Sequence, residues 1–307
     1  VLVPVIVGPT AVGKTAVATA LAALEPVEIV SADARQVYRE LDIGTAKPSL
    51  AEREAAAYHG LDVVEPDRRY SAGRFATDAS GWMAGIAARG RLPLVVGGSG
   101  LYLRALFEGL FAEPALDAAR RERVAGALAS LATAELLRWA NRLDPHFRGR
   151  DRQRSARALE VALLTGRPLS YWQVTEAQRP APFRAWYALL SMPRAALGER
   201  IERRTAAMLE AGLVDEVRAV LARGVRRDAP GLSGVGYREV LAHLDGRLPL
   251  EQLAPAIVVA TRRYAKRQET WFRHQLRGSV TVLDGSFEPE ALAREVLSGY
   301  RAAALTA

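Results

Sequence analysis

The residues with the clearest chemical capacity come early in the chain. Gly8, Pro9, Thr10, Ala11, Val12, Gly13, Lys14 and Thr15 read G-x-x-x-x-G-K-T directly after an apolar run over 3–7. This spacing wraps backbone N–H groups around a di- or triphosphate, brings the lysine to the phosphates and leaves the threonine hydroxyl able to ligate Mg²⁺. Residues 16–24 are good helix formers, so the positive end of a helix dipole points at the same anion. A second candidate, Asp33, follows an apolar stretch over 27–31. It fits three roles: cap of a helix over 34–39, Mg²⁺ contact, or general base. A third, Ser99, lies in Gly97-Gly98-Ser99-Gly100 after the apolar 92–96, where a plain tight reversal would also need glycine.

These residues need a scaffold that brings three loops to one edge. Strand, glycine turn and helix recur at 3–24 and 92–111, which predicts a parallel α/β sheet with ligands at the carboxyl ends of the strands. Short strands are expected over 27–31, 59–64, 186–190 and 280–283. Ser71 reads as the cap of a helix running to about 89. Gly44, Thr45 and Lys47 form a loop suited to anion contact. From 112 to 178 the strand signal stops and helices are expected over 117–131, 133–141, 151–165 and 169–178, an all-helical insertion. A helix over 194–211 stops at Gly212; it carries Leu197, Ile201 and Met208 on its apolar side, with Arg200, Arg203 and Arg204 candidates to face phosphate. The longest helix, 250–275, places Arg262, Lys266 and Arg273 on one face and Arg263 with Arg267 on an adjacent row, interleaved with Trp271 and Phe272. Basic and aromatic side chains so arranged suit RNA phosphates and bases, though a core helix with a solvated basic face has the same pattern.

Composition narrows the classes. The 307 residues, half of them hydrophobic and a quarter charged, can bury one large or two moderate cores. No apolar run nears the ~20 residues of a membrane span. No signal peptide is visible, and the start at Val1 reads as a trimmed terminus. The absence of cysteine excludes disulfides, thiolate zinc sites and cysteine nucleophiles and suits a reducing cytoplasmic setting, while four histidines without paired spacing argue against a histidine metal centre. A net charge of +8 points to a polyanionic partner. The residues leave two chemistries open: phosphoryl transfer from ATP, or use of the same cradle to hold an allylic diphosphate as leaving group.

Six strings carry a resemblance: GPTAVGKT (8–15), SADARQVYRELDIGTAKP (31–48), LVVGGSGLYLRAL (94–106), RQRSARALEV (152–161), LSGVGYREV (232–240) and AKRQETWFR (265–273). In this order they resemble the signatures of the bacterial tRNA dimethylallyltransferases, also called tRNA isopentenyltransferases. The resemblance implies an α/β fold, a P-loop NTPase-like parallel sheet flanked by helices with an all-helical inserted tRNA-binding domain. The core would be 1–111 plus 185–307 and the insertion 112–184. It implies transfer of a dimethylallyl group from dimethylallyl diphosphate to the N6 amine of the adenosine on the 3′ side of the anticodon, in tRNAs reading codons that begin with U.

By the same resemblance Asp33 is the general base, and Ser99 stands where the family usually has threonine. The P-loop holds the diphosphate with Mg²⁺ on Thr15, and Arg203 stabilises the leaving group. The implied tRNA contacts are Asp33, Ala34, Arg35 and Gln36; Ser99; Arg121; Gln153, Arg154, Ser155, Ala156 and Arg157; Gly234, Val235, Gly236, Tyr237 and Arg238; and Lys266, Arg267, Gln268, Trp271 and Arg273. Ala34 and Arg35 depart from the family's usual serine and large apolar residue. The expected partners are a tRNA anticodon arm, gripped without a cysteine zinc finger, and dimethylallyl diphosphate. The expected form is a cytoplasmic monomer with no membrane contact. Two other readings remain: a relative that prenylates free adenine nucleotides, which would have no use for the basic helices, and a P-loop small-molecule kinase or RNA-binding NTPase.

Overall fold

The computed structural model of the chain describes residues 1–110, 117–175 and 182–306. It divides into two compact units, Val1–Phe107 with Ala181–Ala307, and Glu108–Pro180. The first unit is built on β1 (Leu2–Val7), β2 (Val27–Ser31), β3 (Tyr58–His59), β4 (Leu92–Gly97), β5 (Arg184–Ser191) and β6 (Ser279–Asp284), in the spatial order β3-β2-β4-β1-β5-β6. Every neighbouring pair is parallel. A parallel sheet needs crossover segments on its faces, so its central strands are covered on both sides and read as continuous apolar runs. Val3, Val5, Ile6 and Val7 of β1 are accordingly fully buried, each side chain contributing about 1.5–3 kcal/mol of transfer free energy.

The crossovers include α1 (Lys14–Ala22), α2 (Leu50–Ala55), α3 (Ala72–Ala88) and α4 (Gly100–Phe107), and after the insertion α9 (Arg194–Glu210), α10 (Leu213–Ala222), α11 (Tyr237–Leu244), α12 (Leu250–Gln275) and α13 (Pro289–Leu305). Ser71 caps α3 by accepting the Arg74 N–H. Glu28, almost fully buried on β2, accepts from Arg89 at 2.6 Å, and the His59 ring nitrogen lies 2.8 Å from it. The Arg89 guanidinium, with help from His59 and against the cost of burial, holds the Glu28 carboxyl down to about 2.

The insertion holds α5 (Ala118–Ala129), α6 (Thr133–Leu143), α7 (Arg152–Thr165) and α8 (Leu169–Thr175). Leu128, Leu136, Ala140, Phe147, Ala158 and Leu159 form its separate core. Asp117 and Asp151 cap α5 and α7, and Arg152 closes the end of α5 by donating to the carbonyls of Leu128, Ala129 and Leu131. Buried Asp144 accepts from the Ser170 hydroxyl at 2.6 Å and from the Ser170 and His146 N–H groups, which pins α8 to the end of α6.

Three expectations change, and one helix is added. No helix forms over 34–39; the segment is a run of turns, because the Asp33 carboxylate accepts the Arg35 N–H two residues on and folds a local turn instead. The strand expected over 59–64 is β3 at 58–59, followed by a single bridge between Tyr38 and Val64. The helix α4 ends at Phe107, short of the expected 111, which lies outside the described residues, as do 176–178 of the helix expected over 169–178. The helix α2, capped reciprocally by Ser49 and Glu52, was not anticipated.

Candidate active site

Three loops leave the carboxyl ends of adjacent strands. The order β2-β4-β1, with Ser31 paired to Val96 and Val7 to Gly97, brings Asp33, the Gly97–Gly100 turn and the P-loop to one edge. Neighbouring strands lie about 4.8 Å apart, so the three loops face a space of about 10 Å. The P-loop closes tightly because Gly13, at φ 106°, takes a left-handed conformation immediately before α1. Ala11 also has positive φ, at 67°, a strained state for a residue with a Cβ and one that recurs at ligand clamps.

Lys14 Nζ donates to the carbonyls of Gly8 at 2.9 Å and Pro9 at 2.8 Å, under the loop it serves. Burial lowers its pKa to about 8, opposed by the Asp33 carboxylate and reinforced by the Arg204 cation. Arg204, on α9, donates to Thr10 Oγ1 at 3.2 Å, and Arg200 one turn earlier donates to the Val12 carbonyl at 3.1 Å. Burial also lowers the Arg204 pKa, with Asp33 again opposing. Asp33 is thus electrostatically coupled to both cations. The half-buried Ser99 hydroxyl accepts the Ala34 N–H at 2.9 Å, joining the loops after β2 and β4. Tyr264, from α12, completes the cluster: burial and then the Asp33 carboxylate push its hydroxyl upward, while Arg35, Arg267 and a hydrogen bond with Ser99 act the other way.

The three arginines considered on α9 are placed differently. Arg203, the sequence candidate, is exposed, whereas Arg204 and Arg200 reach the P-loop. The signal was present: 197, 201, 204 and 208 follow heptad-like spacing, so half-buried Arg204 and Met208 continue the stripe of buried Leu197 and Ile201. A groove of about 470 Å³ runs along this stretch of α9, its lining mixed: Ile43, Leu50 and Met208 beside Asp42, Arg53 and Arg204.

Several expected contact residues spend their polar groups inside the protein. Gln36 donates to the Ala46 carbonyl at 3.0 Å and accepts from Ser31 Oγ at 2.8 Å. Tyr237, 1% exposed, donates its hydroxyl to Glu216, whose carboxylate also accepts the N–H groups of Asp42, Ile43 and Gly44. Gln268 is 6% exposed and bridges two loops, and Ser155 is fully buried, donating to the Asp151 carbonyl. Arg35 reaches sideways to the Pro230 carbonyl and the Ser233 hydroxyl. Gly234 and Gly236 are buried and Val235 half-buried. Lys47 and Thr45 are used inside the protein: the Lys47 side chain is 1% exposed and donates to the Tyr38 carbonyl and to the Asp62 carboxylate, and Thr45 donates to the Leu41 carbonyl.

What remains on the surface is basic. On α12 Lys266, Arg267 and Arg273 are exposed, Trp271 is half-buried, and Arg262 pairs with Glu202 at 2.6 Å. Arg238 is exposed at the start of α11. Within the insertion, Gln153 and Arg154 are exposed, Ala156 is half-buried, and Arg121 and Arg157 both meet Glu160 at 2.6 Å. For a metal, Thr15 in the first turn of α1 is the P-loop donor, and no cluster of three or more His, Cys, Asp or Glu occurs among the described residues. That donor set fits Mg²⁺, which takes most of its ligands from phosphate and water.

Comparison with known proteins agrees with this fold. Residues 36–275 match the model of the family described as IPP transferase. The tRNA dimethylallyltransferase of Thiobacillus denitrificans is 46% identical over 98% of this chain and 95% of its own length. That of Methylibium petroleiphilum is 47% identical over 97% and 95%. Among solved structures, the full-length tRNA isopentenylpyrophosphate transferase of Bacillus halodurans superposes with a TM-score of 0.71 at 33% identity, covering 99% of this chain and 95% of that one. A eukaryotic dimethylallyltransferase acting on tRNA superposes at 0.77 with 26% identity, covering 92% and 74%. On its sequence and its fold, this chain belongs to the IPP transferase family.

Proposed function

We propose that this protein transfers a dimethylallyl group from dimethylallyl diphosphate to the exocyclic N6 amine of the adenosine 3′ to the anticodon in tRNAs reading codons that begin with U. The observation that carries the reading is geometric: the order β2-β4-β1 brings the Asp33 loop to the edge of the P-loop, into which Arg204 and Arg200 donate at Thr10 Oγ1 and the Val12 carbonyl. The amine attacks the allylic carbon, the carbon–oxygen bond breaks, and pyrophosphate leaves with the electron pair. The Asp33 carboxylate takes the N6 proton, because an adenine amine is a weak nucleophile until it loses one. Lys14, Arg204, Arg200 and the P-loop N–H groups stabilise charge growing on the leaving group. Thr15 would hold a Mg²⁺, which when bound neutralises part of the diphosphate charge.

The target base must leave its stack to reach this edge, which costs a few kcal/mol. Phosphate contacts from Lys266, Arg267, Arg273 and Arg238, and in the insertion from Arg154, offset that cost. Ser99 would contact the flipped nucleotide through its hydroxyl. The protein is proposed to act in the cytoplasm; no helix among its described residues is long and apolar enough to cross a membrane. Incubation in turn with tRNA, AMP or a small-molecule acceptor, with labelled dimethylallyl diphosphate or ATP, tests the reading. Label from the isoprenoid is expected on tRNA alone. Phosphate moved from ATP to an acceptor, with no isoprenoid joined to RNA, would overturn it.

A further inference from the structure

Gln268 stands among basic residues in the sequence but on the buried side of α12 with Ala265 and Phe272, and it is 6% exposed. Its carbonyl accepts the Thr10 N–H of the P-loop at 2.8 Å, and its amide nitrogen donates to the Gly98 carbonyl at 2.9 Å. One planar group therefore spans the diphosphate cradle and the turn that carries Ser99, and only one orientation of the amide satisfies both partners. The turn is shaped to receive it. A Cβ on Gly98 would collide with the Gln268 amide nitrogen, and a Cβ on Gly100 would collide with the Trp271 ring one turn further along the helix. Both glycines thus admit α12 rather than merely reversing the chain.

Resting on the reading of the site above, we infer that Gln268 is a positioning residue for the transfer. It holds the loop that grips the leaving group at a fixed distance from the turn beside Asp33, so that nucleophile, carbon and leaving group stay in line. Neither hydrogen bond touches substrate, so the residue acts through Thr10 and Gly98. In-line displacement is sensitive to sub-ångström errors in such placement. Asparagine would be one methylene too short to span the gap. Glutamate would keep the bond to Thr10 but turn a carboxylate oxygen on the Gly98 carbonyl and add a negative charge beside the cradle.

The test uses the full chain with Gln268→Leu, which keeps the volume and removes both bonds, Gln268→Glu, and Gly98→Ala, which displaces the amide from the other side. Leu253→Ala is the control for stability, because Leu253 is fully buried near the start of α12. Gln268→Leu is expected to lower kcat about tenfold with the KM for tRNA within about twofold. Gly98→Ala should reproduce the loss. Gln268→Glu should weaken binding of inorganic pyrophosphate, read by calorimetry, more than Gln268→Leu does. An unchanged kcat in Gln268→Leu, or a loss no larger than that of Leu253→Ala at an equal fall in Tm, would overturn the inference. The calorimetric arm needs no turnover. If wild-type protein transferred no isoprenoid, the functional reading would fail by itself, while Gln268→Glu binding pyrophosphate as tightly as wild type would separately refute the role of Gln268.

Discussion

Replacement of neighbouring arginines on α9 separates the structural assignment from the sequence expectation. Arg204 is half-buried and donates to Thr10; Arg203 is exposed. A unit charge about 4 Å from a phosphate oxygen contributes about 4 kcal/mol at an effective dielectric of about 20. Desolvation of the guanidinium and the residual hydrogen bond of glutamine offset part of this. A net loss of about 2–3 kcal/mol remains for Arg204→Gln, or about a 30- to 150-fold rise in the Kd of inorganic pyrophosphate and the KM of dimethylallyl diphosphate. Arg203→Gln should stay within about twofold, because a solvated charge is screened. The assay is transfer of labelled isoprenoid to a tRNA transcript at varied diphosphate, with pyrophosphate affinity measured from pH 6.5 to 9.5. Burial, with a smaller contribution from Arg204, holds the Lys14 pKa down to about 8. Pyrophosphate affinity in wild type should therefore weaken as pH rises through about 8, where the ammonium is lost, and Arg204→Gln should move that inflection upward. Equal losses in the two variants, or a larger loss in Arg203→Gln, would refute the placement of the cradle cation.

Three further outcomes are expected. Asp33→Asn keeps an acceptor for the Arg35 N–H but removes the base, so single-turnover transfer should fall at least about 100-fold with tRNA affinity retained; an unchanged rate would end the assignment. Lys266→Ala and Arg273→Ala should each weaken tRNA binding and lower the slope of log K against log salt by about 1, and titrations with an unaltered slope would remove those residues from the RNA surface. Glu28, held at about 2 when folded against about 4.3 in an unfolded chain, contributes stability that is complete above about pH 5 and is lost as pH falls through 4 toward 2. Discounted because its partner Arg89 is 52% exposed, that contribution is about 2 kcal/mol. Chemical denaturation should therefore show Glu28→Gln less stable than wild type at pH 7, with the gap narrowing at pH 3; a gap independent of pH would refute the linkage.

The order of strand, glycine loop and helix was legible in the residues because each step is local. Val27–Ser31 and Leu250–Gln275 have the bounds that apolar runs and helical periodicity predict, and the cap at Ser71 follows from one side chain. That Asp33, Ser99 and the P-loop share an edge follows from parallel strands alone, since every such strand delivers its carboxyl end to the same side. Six ordered strings were enough to identify the family.

The tertiary structure decided which polar groups face outward. Helical spacing groups residues on a stripe but does not say what the stripe meets. Arg200 meets Val12 across 188 residues, and Gln268 meets Thr10 across 258 and Gly98 across 170. Tyr237 and Gln268, read from the sequence as RNA contacts, are buried: Tyr237 donates to the Glu216 carboxylate that accepts the 42–44 N–H groups, and Gln268 satisfies an N–H of the P-loop and a C=O of the Gly98 turn once water is excluded. Hydrogen-bond satisfaction in the closed fold is a sum over distant segments, and no local stretch of sequence contains it.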